Sequence, residues 1–341
     1  MRVTTSAPGK LVLLGEYAVL EGAPALVLAV DRRARVSLAP ASGEYWEVVS
    51  PTLGHEALLH VGRDGVQWQD GPVPELAWLA TMFGELPFAA GLPPCRIVLD
   101  SDAFFIIDRY GEQIKLGLGS SAAVIVALLG ALHACADRGA PTLVSSIAVH
   151  RAIQHGRGSG IDVAAAFAGG LSKFELRENS PECVPTQLPE ALHWCCVFSG
   201  RPASTAALLG GVAAWREREP SAYADRMGEL GTISSRGVDA VMDHDAASFL
   251  SSLRDYARAL ARFGDAAGVD IVSRGHRVLA ALAEDCGAVY KSCGAGGGDV
   301  GVTFAMDDMR LREFTGRAVE AGYAVVGLGA DPRGLETNVA A

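Results

Sequence analysis

Residues 115–136, KLGLGSSAAVIVALLGALHACA, decide how the chain is read. Small and apolar residues continue from Ser120 for about five helical turns. This predicts a helix buried nearly all round, with Ser120 or Ser121 at its N-cap position. Ahead of it, Gly117 and Gly119 let the backbone turn tightly and approach a ligand with no Cβ in the way. A helix opening on such a loop offers free N–H groups and a dipole that favours an anion. A serine hydroxyl there can also reach Mg²⁺ carried by a nucleotide. The plain alternative is a serine-capped loop before a core helix. No GK[ST] follows, so the loop is not a Walker A motif.

Outward from this helix, the first hundred residues read mainly as strands and turns. Short β-type runs at 3–5, 10–14, 25–30, 34–38, 45–49 and 96–99 are interrupted by a helical stretch at about 75–83. Helices are expected at 143–154 and 161–168 and a strand at 171–176. The segment RENSPECVPTQLPEA, 177–191, carries three prolines and little periodicity, and reads as a linker. Beyond it, a strand at 194–199 leads to helices near 203–218, 221–230, 247–263 and 269–283. Strands at 289–291 and 300–306, a helix at 309–321 and a last strand at 324–328 follow. The expected architecture is α+β in two domains, 1–185 and 186–341, the second an antiparallel sheet with helices on one face.

Composition narrows the chemistry. The chain has 341 residues, half of them hydrophobic and a fifth charged, which is a globular profile. A net charge of -10 argues against nucleic acid or an anionic membrane as partner. It does not exclude a small anionic ligand held by a few placed cations. The longest apolar run, Ala122 to Leu132, is too short to span a bilayer, and MRVTTSAPGK lacks signal-peptide architecture, so a cytoplasmic protein is expected. Seven cysteines without a CxxC pair suggest reduced core thiols, and eight scattered histidines show no metal spacing. Only four lysines stand against 25 arginines, and three of them, Lys10, Lys115 and Lys291, lie in or beside glycine-rich motifs. Arginine does not replace a compact ammonium next to a reacting phosphate, so these lysines are the first suspects.

Three further segments carry chemistry. KSCGAGGGD, 291–299, belongs to a run with five glycines between Gly294 and Gly301, which suits an anion nest of backbone N–H groups or, more plainly, a hairpin turn. In APGKLVLLGEYAVLEGAPAL, 7–26, Pro8-Gly9 reads as a turn that delivers Lys10 at a strand start. In HGRGSGIDVAAAFAGG, 155–170, three glycines end by placing Asp162 at a helix start, as a cap or as a working carboxylate. Two anion-cradling loops, an isolated lysine and an aspartate suit phosphoryl transfer from ATP, which asks mainly for positioning and charge neutralisation.

APGKLVLLGEYAVLEG, GLGSSAA and GAGGGD resemble the three signature motifs of the GHMP kinases, the galactose, homoserine, mevalonate and phosphomevalonate kinase superfamily. They span residues 7 to 299. Within the superfamily, GEYAVLEG, KLGLGSSAA, GSGIDVAAA and GAGGGD with Asp299 look most like phosphomevalonate kinases, and SGRPAST, 199–205, resembles an acceptor-side motif of the bacterial ones. The resemblance implies a ribosomal S5 domain 2-like N-terminal domain and a ferredoxin-like α/β sandwich after it. It implies Mg²⁺ and ATP as cofactors and a small phosphorylated alcohol as partner, in a monomer or homodimer.

By the same resemblance Lys10 and Asp162 are the catalytic pair, Lys10 near the acceptor hydroxyl and transferring phosphate, lowering the hydroxyl's pKa or screening charge, and Asp162 as base or charge stabiliser. Lys115, Gly117, Leu118, Gly119, Ser120, Ser121 and Ala122 would hold the nucleotide, with Ser121 on Mg²⁺. Tyr17, Gly160, Arg201, Ser204, Lys291, Gly294, Ala295, Gly296 and Gly297 join Lys10 and Asp162 around the acceptor, and Arg157 is a further candidate cation. Two positions depart from relatives. Arg151 stands where mevalonate kinases carry a glutamate, which speaks against mevalonate as acceptor, and Cys293 replaces the more usual serine. The expected reaction is conversion of 5-phosphomevalonate to 5-diphosphomevalonate. Its rivals are another alcohol acceptor (mevalonate, a sugar or a specialised metabolite), a catalytically silent ligand-binding homologue, and the decarboxylase branch.

Overall fold

The computed structural model describes residues 1–107, 111–177 and 180–340. In chain order its strands are β1 (Arg2–Leu14), β2 (Ala25–Pro40), β3 (Trp46–Ser50), β4 (His55–Gly62), β5 (Gly65–Trp68), β6 (Cys95–Asp100), β7 (Phe105–Ile107), β8 (Gln113–Lys115), β9 (Leu171–Arg177), β10 (Ser180–Thr186), β11 (His193–Phe198), β12 (Val289–Ser292), β13 (Val300–Ala305), β14 (Ala324–Val326) and β15 (Glu336–Ala340). The α-helices are α1 (Trp78–Gly84), α2 (Ser120–Cys135), α3 (Leu143–Ile153), α4 (Ile161–Ala168), α5 (Thr205–Arg218), α6 (Pro220–Met242), α7 (Ala246–Ala267), α8 (Arg274–Asp285) and α9 (Asp308–Glu320).

The larger sheet runs β10-β9-β2-β6-β3-β4-β5, with β1 on β2 and β15 on β1. Its centre is the long antiparallel pair β1–β2, in register from Val3↔Leu38 to Leu14↔Leu26. The two short runs expected at the N-terminus are therefore one strand. The Pro8-Gly9 turn is corrected with them: these residues stay in β1, where the pairing slips between Pro8 and Gly9. Proline has no N–H for the ladder, so the strand bulges there, and a bulge re-aims the side chain that follows it. That side chain is Lys10. A Cβ on Gly9 would lie 2.8 Å from the Leu118 carbonyl oxygen, so glycine is what lets the loop before α2 dock on β1.

Helix α2 is buried along most of its length and packs on β1 and β2, as its nearly uniform apolar sequence requires. Its N-cap is Gly119, in the left-handed region at φ 79°, and neither serine caps by its side chain. This shifts both serines one step into the helix, with Ser120 buried and Ser121 exposed.

The proline-rich linker is also corrected. Ser180–Thr186 is β10, antiparallel to β9, while Glu178 and Asn179 lie outside the described residues. Pro181 and Pro185 are tolerated because β10 is the edge of the sheet, where missing donors cost no partner.

The smaller sheet, β12-β13-β11-β14, is antiparallel throughout. Helices cover both of its faces rather than the one expected. Val197, Tyr290 and Ala305 pack with Leu279 of α8 and Phe314 of α9. On the opposite face Phe304 meets Phe249 of α7, ring centroids 5.4 Å apart. Every residue of β13 is buried, which is what a sheet covered on both sides demands.

Sequence reading also missed strands β4, β5, β7, β8, β10 and β15. The last returns the C-terminal segment to the larger sheet, pairing Arg2↔Ala340 to Ser6↔Glu336. Arg33 of β2 secures this return: its guanidinium donates to Asp331 Oδ2 at 2.6 Å and to the Gly334 carbonyl at 2.7 Å.

Candidate active site

Four segments converge where β1 bulges: Lys10 itself, the loop into α2, the start of α4, and the glycine-rich loop between β12 and β13. The Lys10 backbone N–H donates to the Leu118 carbonyl at 2.8 Å, fixing strand to loop. Its ammonium lies 3.5 Å from Asp162 Oδ1. Burial pushes the Lys10 ammonium down, but the Asp162 carboxylate, with Glu16 behind it, outweighs this and holds its pKa above the ordinary value. Lys10 is therefore a fixed positive charge at neutral pH, not a proton acceptor. Asp162 does not cap α4; the cap is Gly160, with no side-chain bond. Its half-exposed carboxylate faces Lys10 instead.

Around this pair lies a cavity of about 190 Å³, lined by Lys10, Glu16, Tyr17, His150, Asp162 and Thr205 among others. Of the expected acceptor-side residues, Lys10, Tyr17, Gly160, Asp162, Gly294 and Ala295 meet there. A second cavity of about 220 Å³ is lined by Lys115, Ser120, Ser121, Trp78 and Phe105, at the start of α2. The Gly117–Ser121 turn belongs to both neighbourhoods. A Cβ on Gly119 would sit 3.0 Å from Lys10 Cγ, and one on Gly117 would collide with the Asp299 carboxylate. Leu118 and Ala122, by contrast, bury their side chains in the core and present only backbone to this region. Gly119→Ala is therefore expected to strain a φ of 79° and push the Lys10 stem aside. The expected loss is about tenfold or more in kcat, with a stability cost of about 1 kcal/mol, read by steady-state kinetics and a thermal melt.

The glycine-rich loop is held by its carbonyls. The Tyr17 hydroxyl donates to Ala295 O at 2.6 Å, and Arg201 Nε to Gly297 O at 2.7 Å. Tyr17 does this from a left-handed backbone at φ 61°, costly for an aromatic residue and tolerated where a site fixes it. Among the described residues, no protein acceptor takes the N–H groups of Gly294, Ala295 or Gly296.

Three groups of expected acceptor residues lie off the cavity wall. Arg201 donates from Nε to the loop and pairs Nη2 with Asp270. Gly296 and Gly297 are buried against Ile271 and Leu208, and only Gly294 and Ala295 reach the cavity. Lys291 does not face the acceptor cavity at all. It is buried in an ion pair with Glu16 and also donates to the Ser292 carbonyl at 2.6 Å. Ser204 stands just before α5 as its N-cap, with no side-chain capping bond, and Thr205 of the same turn lines the cavity. Arg157 is exposed on the loop before α4.

Sequence reasoning missed Glu16, His150, Gln154, Ser159 and Thr205, all on the cavity wall. His150 is buried, its Nδ1 has no partner among the described residues, and burial lowers its pKa against the pull of Asp162. Arg151, where a glutamate was looked for, donates instead to the carbonyls of Gly158 and Ser159 and braces the turn before Asp162.

The GHMP kinases N terminal domain family matches residues 79–170. A phosphomevalonate kinase of Streptomyces sp. is 30% identical over 358 residues, covering 92% of this chain and 92% of the relative. The chain belongs to the GHMP kinase family. A mevalonate kinase of Archaeoglobus fulgidus is 31% identical over 296 residues, 86% of this chain and 89% of the relative. The Streptococcus pneumoniae phosphomevalonate kinase, solved with phosphomevalonate and AMPPNP, superposes with a TM-score of 0.78 at 19% identity over 97% of this chain and 99% of that one. The α+β GHMP kinase fold expected from the motifs is thus the fold of this chain, and the protein is a kinase of that family. No described helix of this GHMP kinase is long and apolar enough to cross a membrane.

Proposed function

We propose that this kinase transfers the γ-phosphoryl group of Mg·ATP to 5-phosphomevalonate, giving 5-diphosphomevalonate and ADP. The observation that carries the reading is the Lys10–Asp162 pair, 3.5 Å apart, at a cavity beside a glycine–serine loop that opens a buried helix. In this reading the nucleotide occupies the cavity with Lys115, Ser120 and Ser121, in the unit 1–185. Its phosphates lie along Gly117, Leu118, Gly119 and Ala122, bound through backbone N–H groups. The acceptor lies between this unit and 186–341, in the cavity that Lys10, Asp162 and Thr205 line, its phosphate between Lys10 and the uncapped start of α5 at Ser204 and Thr205.

The attacking atom is an oxygen of the acceptor's own phosphate, already ionised at neutral pH, so Asp162 takes no proton from it and instead fixes the Lys10 ammonium and orients the acceptor. Lys10 stabilises the charge on the transferring phosphoryl group, and the N–H groups of Gly294 and Ala295 hold the acceptor side. Among the described residues no group of three or more His, Cys, Asp or Glu is placed to hold a metal ion. The exposed Ser121 hydroxyl and half-exposed Asp162 carboxylate fit a Mg²⁺ that arrives on the triphosphate and keeps much of its water. Bound there, Mg²⁺ would supply neutralisation of the β- and γ-phosphate charge.

Support for the phosphorylated acceptor comes from GAGGGD, from the Streptomyces relative and from the helix start at Thr205. One observation favours mevalonate as a second reading: the described cavity wall offers one cation, Lys10, against the carboxylates of Glu16 and Asp162. ADP release with a panel of alcohols decides between them. The expected result is kcat/KM for phosphomevalonate at least about tenfold above that for mevalonate, a gap of ~1.4 kcal/mol in transition-state binding. The reverse order would move the assignment to mevalonate, and activity on neither would end both readings.

A further inference from the structure

The same loop is held from behind by a residue no motif contains. His276 on α8 is completely buried and bridges two groups. Its Nε2 lies 2.8 Å from the Gly298 carbonyl oxygen, and its Nδ1 lies 2.7 Å from the Tyr290 hydroxyl. A carbonyl only accepts, so Nε2 carries the proton and Nδ1 accepts from Tyr290. The ring is thus fixed in one tautomer by its surroundings. Tyr290 in turn lies against Gly301, where a Cβ would collide with its hydroxyl. Tyr290 donates to His276 and His276 to the Gly298 carbonyl, a hydrogen-bonded chain running from the smaller sheet into the loop.

We infer that His276 is a positioning residue for the phosphoryl-transfer site, acting by pinning the Gly298 carbonyl so that the loop keeps the Gly294 and Ala295 N–H groups at the acceptor cavity. Three side chains then hold the loop from three elements. Tyr17 takes Ala295 O, Arg201 takes Gly297 O, and His276 takes Gly298 O. With these carbonyls tied back, the C-terminal half of the loop is fixed, which holds in place the Gly294–Ala295 end that lines the cavity. Of the three, His276 is the one wholly out of solvent, where water cannot substitute for it. It does not line the acceptor-side cavity and so does not bind substrate directly.

The inference rests on the reading that this loop faces the acceptor, and its test separates the two. His276→Gln keeps a donor near the Nε2 position, whereas His276→Leu keeps bulk and loses the donor. The account expects His276→Leu to raise the acceptor KM about tenfold, while the ATP KM stays within about twofold. It expects His276→Gln to restore most of the loss. Tyr290→Phe, which leaves Nδ1 without its donor, should shift the acceptor KM in the same direction by about threefold, and serves if the leucine variant does not fold. Hydrogen exchange of the peptide covering 293–299 gives a readout without any substrate, and faster exchange there is expected in His276→Leu but not in His276→Gln. If the leucine or phenylalanine variant leaves acceptor KM and loop exchange unchanged, or if glutamine and leucine are equally damaging, His276 has no positioning role. If wild type fails to use phosphomevalonate, the acceptor reading falls and loop exchange alone decides the clamp.

Discussion

Replacement of Lys10 by methionine is expected to lower kcat by about 10²–10³ or more, with the protein still folded and the ATP KM changed by less than about fivefold. Methionine keeps the length and apolar stem of lysine, which packs along Gly119, and removes only the charge. Lys10 is buried and held protonated, so the site loses a preorganised cation that water cannot replace. Lys10→Arg is not expected to rescue. The stem already lies 3.0 Å from where a Cβ on Gly119 would be, and a planar guanidinium does not put its charge where the compact ammonium does. Asp162→Asn should cost about 10²-fold through loss of the carboxylate that holds the Lys10 ammonium at 3.5 Å. Because the two act as a unit, the double variant should be little worse than the poorer single one. Wild-type turnover in either single variant would remove the pair from the mechanism.

A second large effect is expected away from the chemistry. Lys291→Met removes one partner of an ion pair whose side chains are 0% and 3% exposed, leaving the Glu16 carboxylate buried alone. Stranding a buried charge costs about 3–5 kcal/mol, a large part of a typical total stability of about 5–15 kcal/mol. Glu16→Gln combined with Lys291→Met should recover much of it, since no charge is then stranded. The pH dependence has a definite sign. Burial raises the Glu16 pKa despite Lys291, and removal of Lys291 raises it further. The folded variant then binds a proton more tightly than the unfolded chain, so its stability falls as pH rises above the ordinary carboxylate range. A melting temperature of Lys291→Met lower at pH 8 than at pH 5, with a smaller change in wild type, is the expected result. Equal melting of wild type and variant at both values would show the pair to be inert.

The active-site reading depended on how each motif expresses its chemistry. The α2 segment was legible because a helix apolar on every side has to be buried, and a glycine-serine loop ahead of it has to be where backbone is exposed. Lys10 and Asp162 were legible as isolated charges next to glycine turns. Lys291 was misleading for the same reason: lysine beside glycine marks both a phosphate site and a buried ion pair, and its partner Glu16 is 275 residues away in sequence. Arg201 likewise looks like a substrate cation until the carbonyl of Gly297 is seen beneath it. The prolines of 177–191 hid an edge strand, since proline signals a linker and an unpaired strand edge alike. His276 could not be found from sequence, because a lone histidine on an amphipathic helix is indistinguishable from an ordinary core residue until both of its partners are in view.

The central claim is that the Lys10–Asp162 site moves a phosphoryl group from ATP onto the phosphate of 5-phosphomevalonate. Phosphorus-31 NMR of the purified protein with Mg·ATP and 5-phosphomevalonate tests it most directly. The account predicts that the acceptor's phosphomonoester signal declines as a new pair of coupled diphosphate signals and those of ADP grow in equal amounts, and that the Asp162→Asn protein shows neither within the same time. Release of inorganic phosphate with the acceptor signal unchanged, or formation of a new monoester on another alcohol only, would contradict it.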